Sequence, residues 1–180
     1  MAAKTPKPKP KRLLAIDTSA SPGLAALDYY EDGSKSPSLV YADAFPTDTK
    51  LTDAERFEVA RSATALFCYK YGPFDVVVRE HFTKGGSKRA TQLVFGGWAA
   101  VDMALKAFGY TIDPTNELTP STVKKAVGTT GKADKAEVEQ GVRKALNLPG
   151  DYVFPNNKGG DSSDAAAIGI AYLKREGAIK

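Results

Sequence analysis

The first third of the chain sets short apolar runs between clusters of turn residues. Leu13, Leu14, Ala15 and Ile16 form an unbroken apolar run that ends on Asp17. Small residues and a Pro-Gly pair follow at 18–23, and a second apolar run extends to residue 30. SLVYADAF, 38–45, alternates apolar and polar positions, beyond a Gly/Ser/Pro-rich stretch at 31–37. The pattern predicts three strands, 12–17, 23–30 and 38–45, joined by turns.

The period then changes. Thr52 precedes Asp53 and Glu55, and Ala54, Phe57, Ala60, Ala65 and Phe67 predict a helix to about Tyr71, stopped by Gly72-Pro73. PFDVVVRE predicts a fourth strand; three consecutive valines are the pattern of a strand covered on both faces. It too ends on a carboxylate, Glu80. After the glycine-containing loop HFTKGGSKRA comes a helix over 88–108, holding Leu93, Val94, Trp98, Val101, Met103, Leu105 and Phe108. Its Gly96-Gly97 pair, costly inside a helix, marks a kink or a close helix approach. A short fifth strand falls within 110–118, and Thr119-Pro120-Ser121 opens a short helix with proline in its first turn. Further helices are predicted over 135–146 and from Asp161 onward, with 148–160 irregular between them. The expected class is α/β: a mixed five-stranded sheet flanked by helices, in the element order of ribonuclease H-like folds.

Charge alters this picture at one end only. The net charge is +4, but Lys4, Lys7, Lys9, Lys11 and Arg12 precede residue 13 with no acid among them, so the rest is close to neutral. Alternating Lys and Pro has nothing to bury. We expect residues 1–11 to be a disordered basic tail, either solubilising or adding phosphate contacts, and 12–180 to be one folded domain. No apolar run is long enough for a membrane span, and no secretory signal follows the N-terminal positives. The single Cys68 excludes an internal disulfide and reads as a buried thiol in a cytoplasmic protein.

Two strands ending on carboxylates bring their acids together if they are neighbours in the sheet. GGDSSDAAAIGIAYL adds Asp161 and Asp164, three apart on one helix face. Each pair of such charges ~4 Å apart costs on the order of 4 kcal/mol at an effective dielectric of ~20. Divalent cations offset that, and hard oxygen donors suit Mg²⁺ or Mn²⁺. Taken singly, each acid has a plainer reading. Asp161 can cap a helix, Asp164 can answer its dipole, Asp17 can start a turn and Glu80 can be a solvated strand end.

Together these segments resemble the RuvC-type Holliday junction resolvases over roughly residues 12–176. LLAIDTS is similar to that family's opening strand, VVVREHF to its second motif, and GGDSSDAAAIGIAYLK to its closing motif. STVKKAVGTTGKADKAEV, with its lysine pair, glycine-containing loop and Lys135 at a helix start, is the most specific piece. The resemblance implies Asp17, Glu80, Asp161 and Asp164 as metal ligands for two Mg²⁺ ions, with Mn²⁺ as a substitute. It implies Lys135 as a stabiliser of phosphate charge and Lys124, with Lys125 and Lys132, as DNA-backbone contacts. Lys84, Lys88 and Arg89 follow Glu80 and are expected to hold DNA arms. The resemblance further implies a homodimer cutting two symmetric strands of a four-way or branched DNA, with the 88–108 helix and Trp98 as its contact face. Two departures stand out. Thr18-Ser19 replaces the Pro-Gly found after the first Asp in most relatives, and Thr83 sits where a junction-stacking aromatic is expected, with Phe82 one residue earlier. Phe82 is therefore either a junction wedge or packed core. LAIDTS also resembles actin-like-fold proteins of tRNA modification, which need neither Glu80 nor the VKKAVGTTGKADK segment. Ribonuclease H-fold nucleases acting on flaps or RNA–DNA hybrids share the acids.

Overall fold

The computed structural model describes residues 9–19, 21–82 and 86–179. Strands β1 (Lys11–Asp17), β2 (Gly23–Tyr29), β3 (Ser38–Ala44), β4 (Val76–Glu80) and β5 (Glu117–Leu118) form one sheet in the order β3-β2-β1-β4-β5. β1 runs antiparallel to β2 and parallel to β4, so the sheet is mixed. Helices α1 (Asp53–Tyr71) and α2 (Lys88–Ala107) cover one face. Helices α3 (Pro120–Ala126), α4 (Lys135–Ala145) and α5 (Asp161–Arg175) cover the other.

Strand alternation assigns each residue to a face. Leu13, Ala15, Leu27 and Val78 pack in the core beneath α5, beside Val138, Val142 and Ile168. Leu14, Ile16, Ala26 and Val77 pack on the other side with Phe67, Val101 and Leu105. Continuing the rows, Asp17 follows Ala15 and Glu80 follows Val78, so both acids belong to the α5 side. The parallel register pairs Ile16 with Arg79, which sets Asp17 beside Glu80 at the same sheet edge.

Local signals fix the helix starts. Thr52 and Glu55 form a reciprocal capping box for α1, and Asp134 and Glu137 form another for α4. Thr119 caps α3 ahead of Pro120. Gly96 is a close approach between helices: a Cβ there would lie 2.1 Å from the Phe57 ring of α1. Cys68 is buried, and burial pushes its thiol up to about 11, as expected of an inert core residue. Among the described residues no helix is long and apolar enough to cross a membrane.

Two basic residues expected in or beside the tail are part of the sheet. Lys11 opens β1, opposite Tyr29, and pairs with Glu31. Arg12 holds Asp28 through two bonds of 2.6 and 2.9 Å and donates to the Tyr71 carbonyl at 2.9 Å. Sequence polarity alone does not separate a solvated lysine from one paired across a strand. Of the remaining tail positions, Lys9 and Pro10 are exposed, and 1–8 lie outside the described residues.

α5 is buried along most of its length, and two glycines let it press onto the sheet. A Cβ at Gly169 would meet Leu27 at 2.7 Å. A Cβ at Gly23, the residue paired with Asp17, would lie 2.0 Å from the Asp161 carbonyl oxygen. Backbone cannot yield as a side-chain tip can. Gly23→Ala is expected to push the α5 N-terminus off the sheet and cost about 1–3 kcal/mol, the range of overpacked cores. Urea unfolding measures the loss.

Candidate active site

Three elements deliver the acids to one place. β1 ends with Asp17, β4 ends with Glu80, and α5 begins with Asp161 and Asp164 one turn apart. One carboxylate oxygen from each of Asp17, Asp161 and Asp164 lies within 4.8 Å of the others. Glu80 and Asp17 line a cavity of about 170 Å³ with Thr18, His81, Phe82, Trp98 and Pro120. A larger cleft of about 890 Å³ between the 126–130 segment and α4 contains none of the acids.

The start of α5 is set by Asn157 rather than by the acids. Its Oδ1 accepts from the Ser163 amide at 3.0 Å and the Ser162 hydroxyl at 2.9 Å, and its Nδ2 donates to Glu139 at 2.7 Å. The helix has Gly160, in the left-handed region, at its N-cap and no side-chain cap there. Asp161 and Asp164 are thus free of capping duty and face the strand ends.

The cost of gathering these charges is visible in their protonation. Burial, then the charges of Glu80, Asp164 and Asp161, hold Asp17 well above the usual carboxylate range. Burial and Asp164 push Glu80 up to about 7. Burial likewise raises Asp164, against the pull of Lys135. Lys135 is the principal counter-charge, with its Nζ 3.0 Å from Asp164 and 3.5 Å from Asp161. Burial opposes its ammonium, but the two aspartates outweigh that and raise it. Asp17 is buried and accepts no hydrogen bond from the described protein groups, and the neighbouring Thr18 hydroxyl is buried without a partner. An all-oxygen donor set, under-neutralised and short of protein donors, fits a hard divalent cation.

The other expected positions are scattered around this centre. Lys124 is half-buried, donates to the Ala133 carbonyl at 2.7 Å, and lies close enough to lower the pKa of Glu80. Lys125, Lys132 and Lys88 are exposed. Arg89 is already engaged, with its guanidinium forked onto Asp53 at the start of α1. Lys84 and Thr83 lie outside the described residues. Phe82 is half-buried at the cavity wall, edge-on to Phe95 at 5.5 Å, which is edge-on to Trp98 at 5.9 Å. Phe82 is thus neither deep core nor free. His81 turns to Glu117, its Nδ1 2.8 Å away.

A mixed sheet in this order, with carboxylates converging at the ends of two adjacent parallel strands, defines a ribonuclease H-like nuclease. The family model described as crossover junction endodeoxyribonuclease RuvC matches residues 14–172. The chain belongs to that family. The RuvC of Citrifermentans bemidjiense is 30% identical over 167 residues, 92% of this chain and 93% of its own. That of Ruminiclostridium cellulolyticum is 33% identical over 155 residues, 84% and 87% respectively. The structure of Thermus thermophilus RuvC in complex with Holliday junction substrate matches with a TM-score of 0.73 and 20% identity, covering 94% of this chain and 98% of that one. This last likeness establishes the fold. The family match sets aside the actin-like reading of LAIDTS.

Two contributors escaped the sequence reading. Asn157 sits in the stretch read as irregular; an Asn shortly before a helix start was the available signal. Gly23 gave none beyond a turn.

Raised carboxylate pKa values make the folded, metal-free protein bind more protons than the unfolded chain between the ordinary glutamate value and about 7. The contribution of Glu80 to stability therefore rises as pH falls through that window. The thermal midpoint of metal-free protein is expected to increase from about pH 8 to about pH 6. Glu80→Gln should flatten that rise, and a calorimetric pH series would measure both.

Proposed function

We propose that this chain is a divalent-metal-dependent endonuclease that resolves four-way DNA junctions as a homodimer, with Mg²⁺ as its ordinary metal and Mn²⁺ able to replace it. The observation that carries the reading is the convergence of Asp17, Asp161 and Asp164 within 4.8 Å, with Glu80 on the adjoining strand end. Asp17, nearest to all the others by topology, would hold both ions of a pair. Glu80 and Asp161 would each hold one, and Asp164 would complete the site or orient the attacking water. When bound, such a pair of cations lowers the pKa of a water and stabilises the leaving oxygen of a phosphodiester.

The protein's own groups do the rest. The carboxylates orient the water opposite the scissile bond. The water oxygen bonds to phosphorus as the P–O3′ bond breaks, and the proton that the water loses is balanced by the one the 3′ oxygen takes up, leaving a 3′-hydroxyl and a 5′-phosphate. Lys135, held here by Asp161 and Asp164, is placed to turn its ammonium to the phosphate once cations neutralise those acids. Lys124, Lys125, Lys132, Lys84 and Lys88 supply salt-sensitive backbone contacts; Arg89 does so only by leaving Asp53. Phe82 stands at the mouth beside the acids, where an unpaired base can stack.

Selection of a junction over linear duplex rests on two sites held at a fixed separation, hence on a dimer that reads shape. Exposed Met103 and Phe95 on α2, with Leu66 and Tyr69 on α1, give that face apolar area for a second copy. Gly96 adds little to it, since its side faces Phe57, and Trp98 is half-buried with its indole against Arg79. The setting we infer is the cytoplasm of a bacterial or phage-infected cell, with the residues ahead of Lys11 as an added basic arm.

Synthetic four-way junction and linear duplex, each incubated with protein and Mg²⁺, provide the test. Paired symmetric nicks in the junction are expected, with Asp17→Asn reducing the rate by about 10³-fold or more. Undiminished cleavage by the variant refutes the site, and equal cutting of linear duplex refutes the specificity. Chelation should abolish cleavage, while Mg²⁺ raises the thermal midpoint of the folded protein.

A further inference from the structure

One buried charge beside the acids belongs to none of these roles. Arg79 is 8% exposed and immediately precedes Glu80. Alternation turns it away from the acids, toward α2. Its guanidinium gives two bonds to Glu117 Oε1, at 2.9 and 2.7 Å, and one to Asp102 Oδ1 at 2.9 Å. It also lies over the Trp98 ring, 3.8 Å from the centroid. One side chain thereby joins β4 to β5 and to α2.

The place where this happens is the weakest edge of the sheet. β5 has only two residues, and its ladder pairs Arg79 with Glu117 and Glu80 with Leu118. Two residue pairs do little to hold a strand end whose last side chain is repelled by Asp17 and Asp164. The Arg79 charge is spent on Glu117 and Asp102, and the cations that favour ionised Glu80 are Lys124 and Lys135. Arg79 therefore acts on Glu80 through position. Burying a guanidinium is costly unless its donors are matched, and loss of one partner leaves a charge stranded. The planar fork and the ring stack both need arginine; a lysine provides neither.

We propose that Arg79 is a positioning residue that pins the end of β4 to α2 and β5, so that Glu80 is held at the metal site against the repulsion of the other acids, with Trp98 fixed as the wall of the same cavity. This rests on the reading of Glu80 as a metal ligand.

The test uses the full-length protein, freed of metal and titrated with Mn²⁺ alone, by calorimetry and by electron paramagnetic resonance. Arg79→Met keeps the length and loses the fork. It is expected to weaken Mn²⁺ binding by about 10- to 100-fold, the usual scale for groups that orient ligands. The Mg²⁺ concentration for half-maximal junction cleavage should rise in step, while junction affinity in metal-free buffer stays within roughly twofold, since the variant leaves the DNA contacts in place. Arg79→Lys keeps the charge but loses the fork and the stack, so it should also weaken Mn²⁺ binding, and it serves in place of Arg79→Met if the latter does not fold. In a Glu80→Gln background the Arg79 substitution should cause no further loss of Mn²⁺ affinity, because both act through one carboxylate. Wild-type Mn²⁺ affinity in both Arg79 variants overturns the proposal, as does an Arg79 effect of undiminished size in the Glu80→Gln background. If Glu80→Gln alone leaves Mn²⁺ affinity unchanged, the ligand assignment fails first and this inference falls with it.

Discussion

The structure is organised around mutual repulsion. Carboxylates at the ends of β1 and β4 and the start of α5 are brought together, mostly buried, against Coulomb energy and lost hydration. Asp17 bears most of the burden, since it is buried and has no protein donor among the described residues. Such a site does not assemble because its members attract one another. It assembles because apolar burial behind it is larger: β1 is apolar on both faces, and α5 is buried along most of its length. The four-carbon side chains of Leu13, Leu14 and Ile16, each contributing roughly 1.5–3 kcal/mol on full burial, hold in place a terminal residue that opposes its own surroundings.

The devices near the acids all serve to keep them there. Gly23 removes the side chain that would keep α5 at a distance. Asn157 fixes the first turn of α5, satisfying the Ser163 amide so that neither aspartate is diverted to do so. Lys135 neutralises part of the charge from α4 through a flexible, exposed side chain, which costs little to move when another cation or a phosphate arrives. Asp134 and Glu137 close a capping box around the start of α4 and so hold Lys135 at its first position. The rigid groups set geometry, and the mobile one compensates charge.

How much of this was legible in the sequence follows from range. Strands, helices and their starts depend on local periodicity and capping, and these read directly: Thr52, Thr119 and the α5 start at Asp161 are where the pattern puts them. The four acids were legible because each stands at an element's end, where a charge is conspicuous against apolar neighbours. What stayed hidden depends on contacts between distant segments. Nothing in 1–12 distinguishes Lys11, paired with Glu31 beyond the end of β2, from a solvated tail lysine. Nothing near Arg89 foretells that Asp53, 36 residues earlier, occupies it. Gly96 reads as a kink or a close approach until Phe57 is seen over it.

The end of β4 shows why a strand terminus is a useful place for such chemistry. Successive residues there point to opposite faces. Arg79 can therefore be locked into α2 and β5 while Glu80, one residue on, faces the acids. As proposed, a single strand would then carry its anchor and a metal ligand back to back. The charge of Arg79 is matched by Glu117 and Asp102 on its own side of the sheet, so it adds no cation to the side where the carboxylates gather. An anchor placed on the same face as Glu80 would have neutralised the very charge that the site requires.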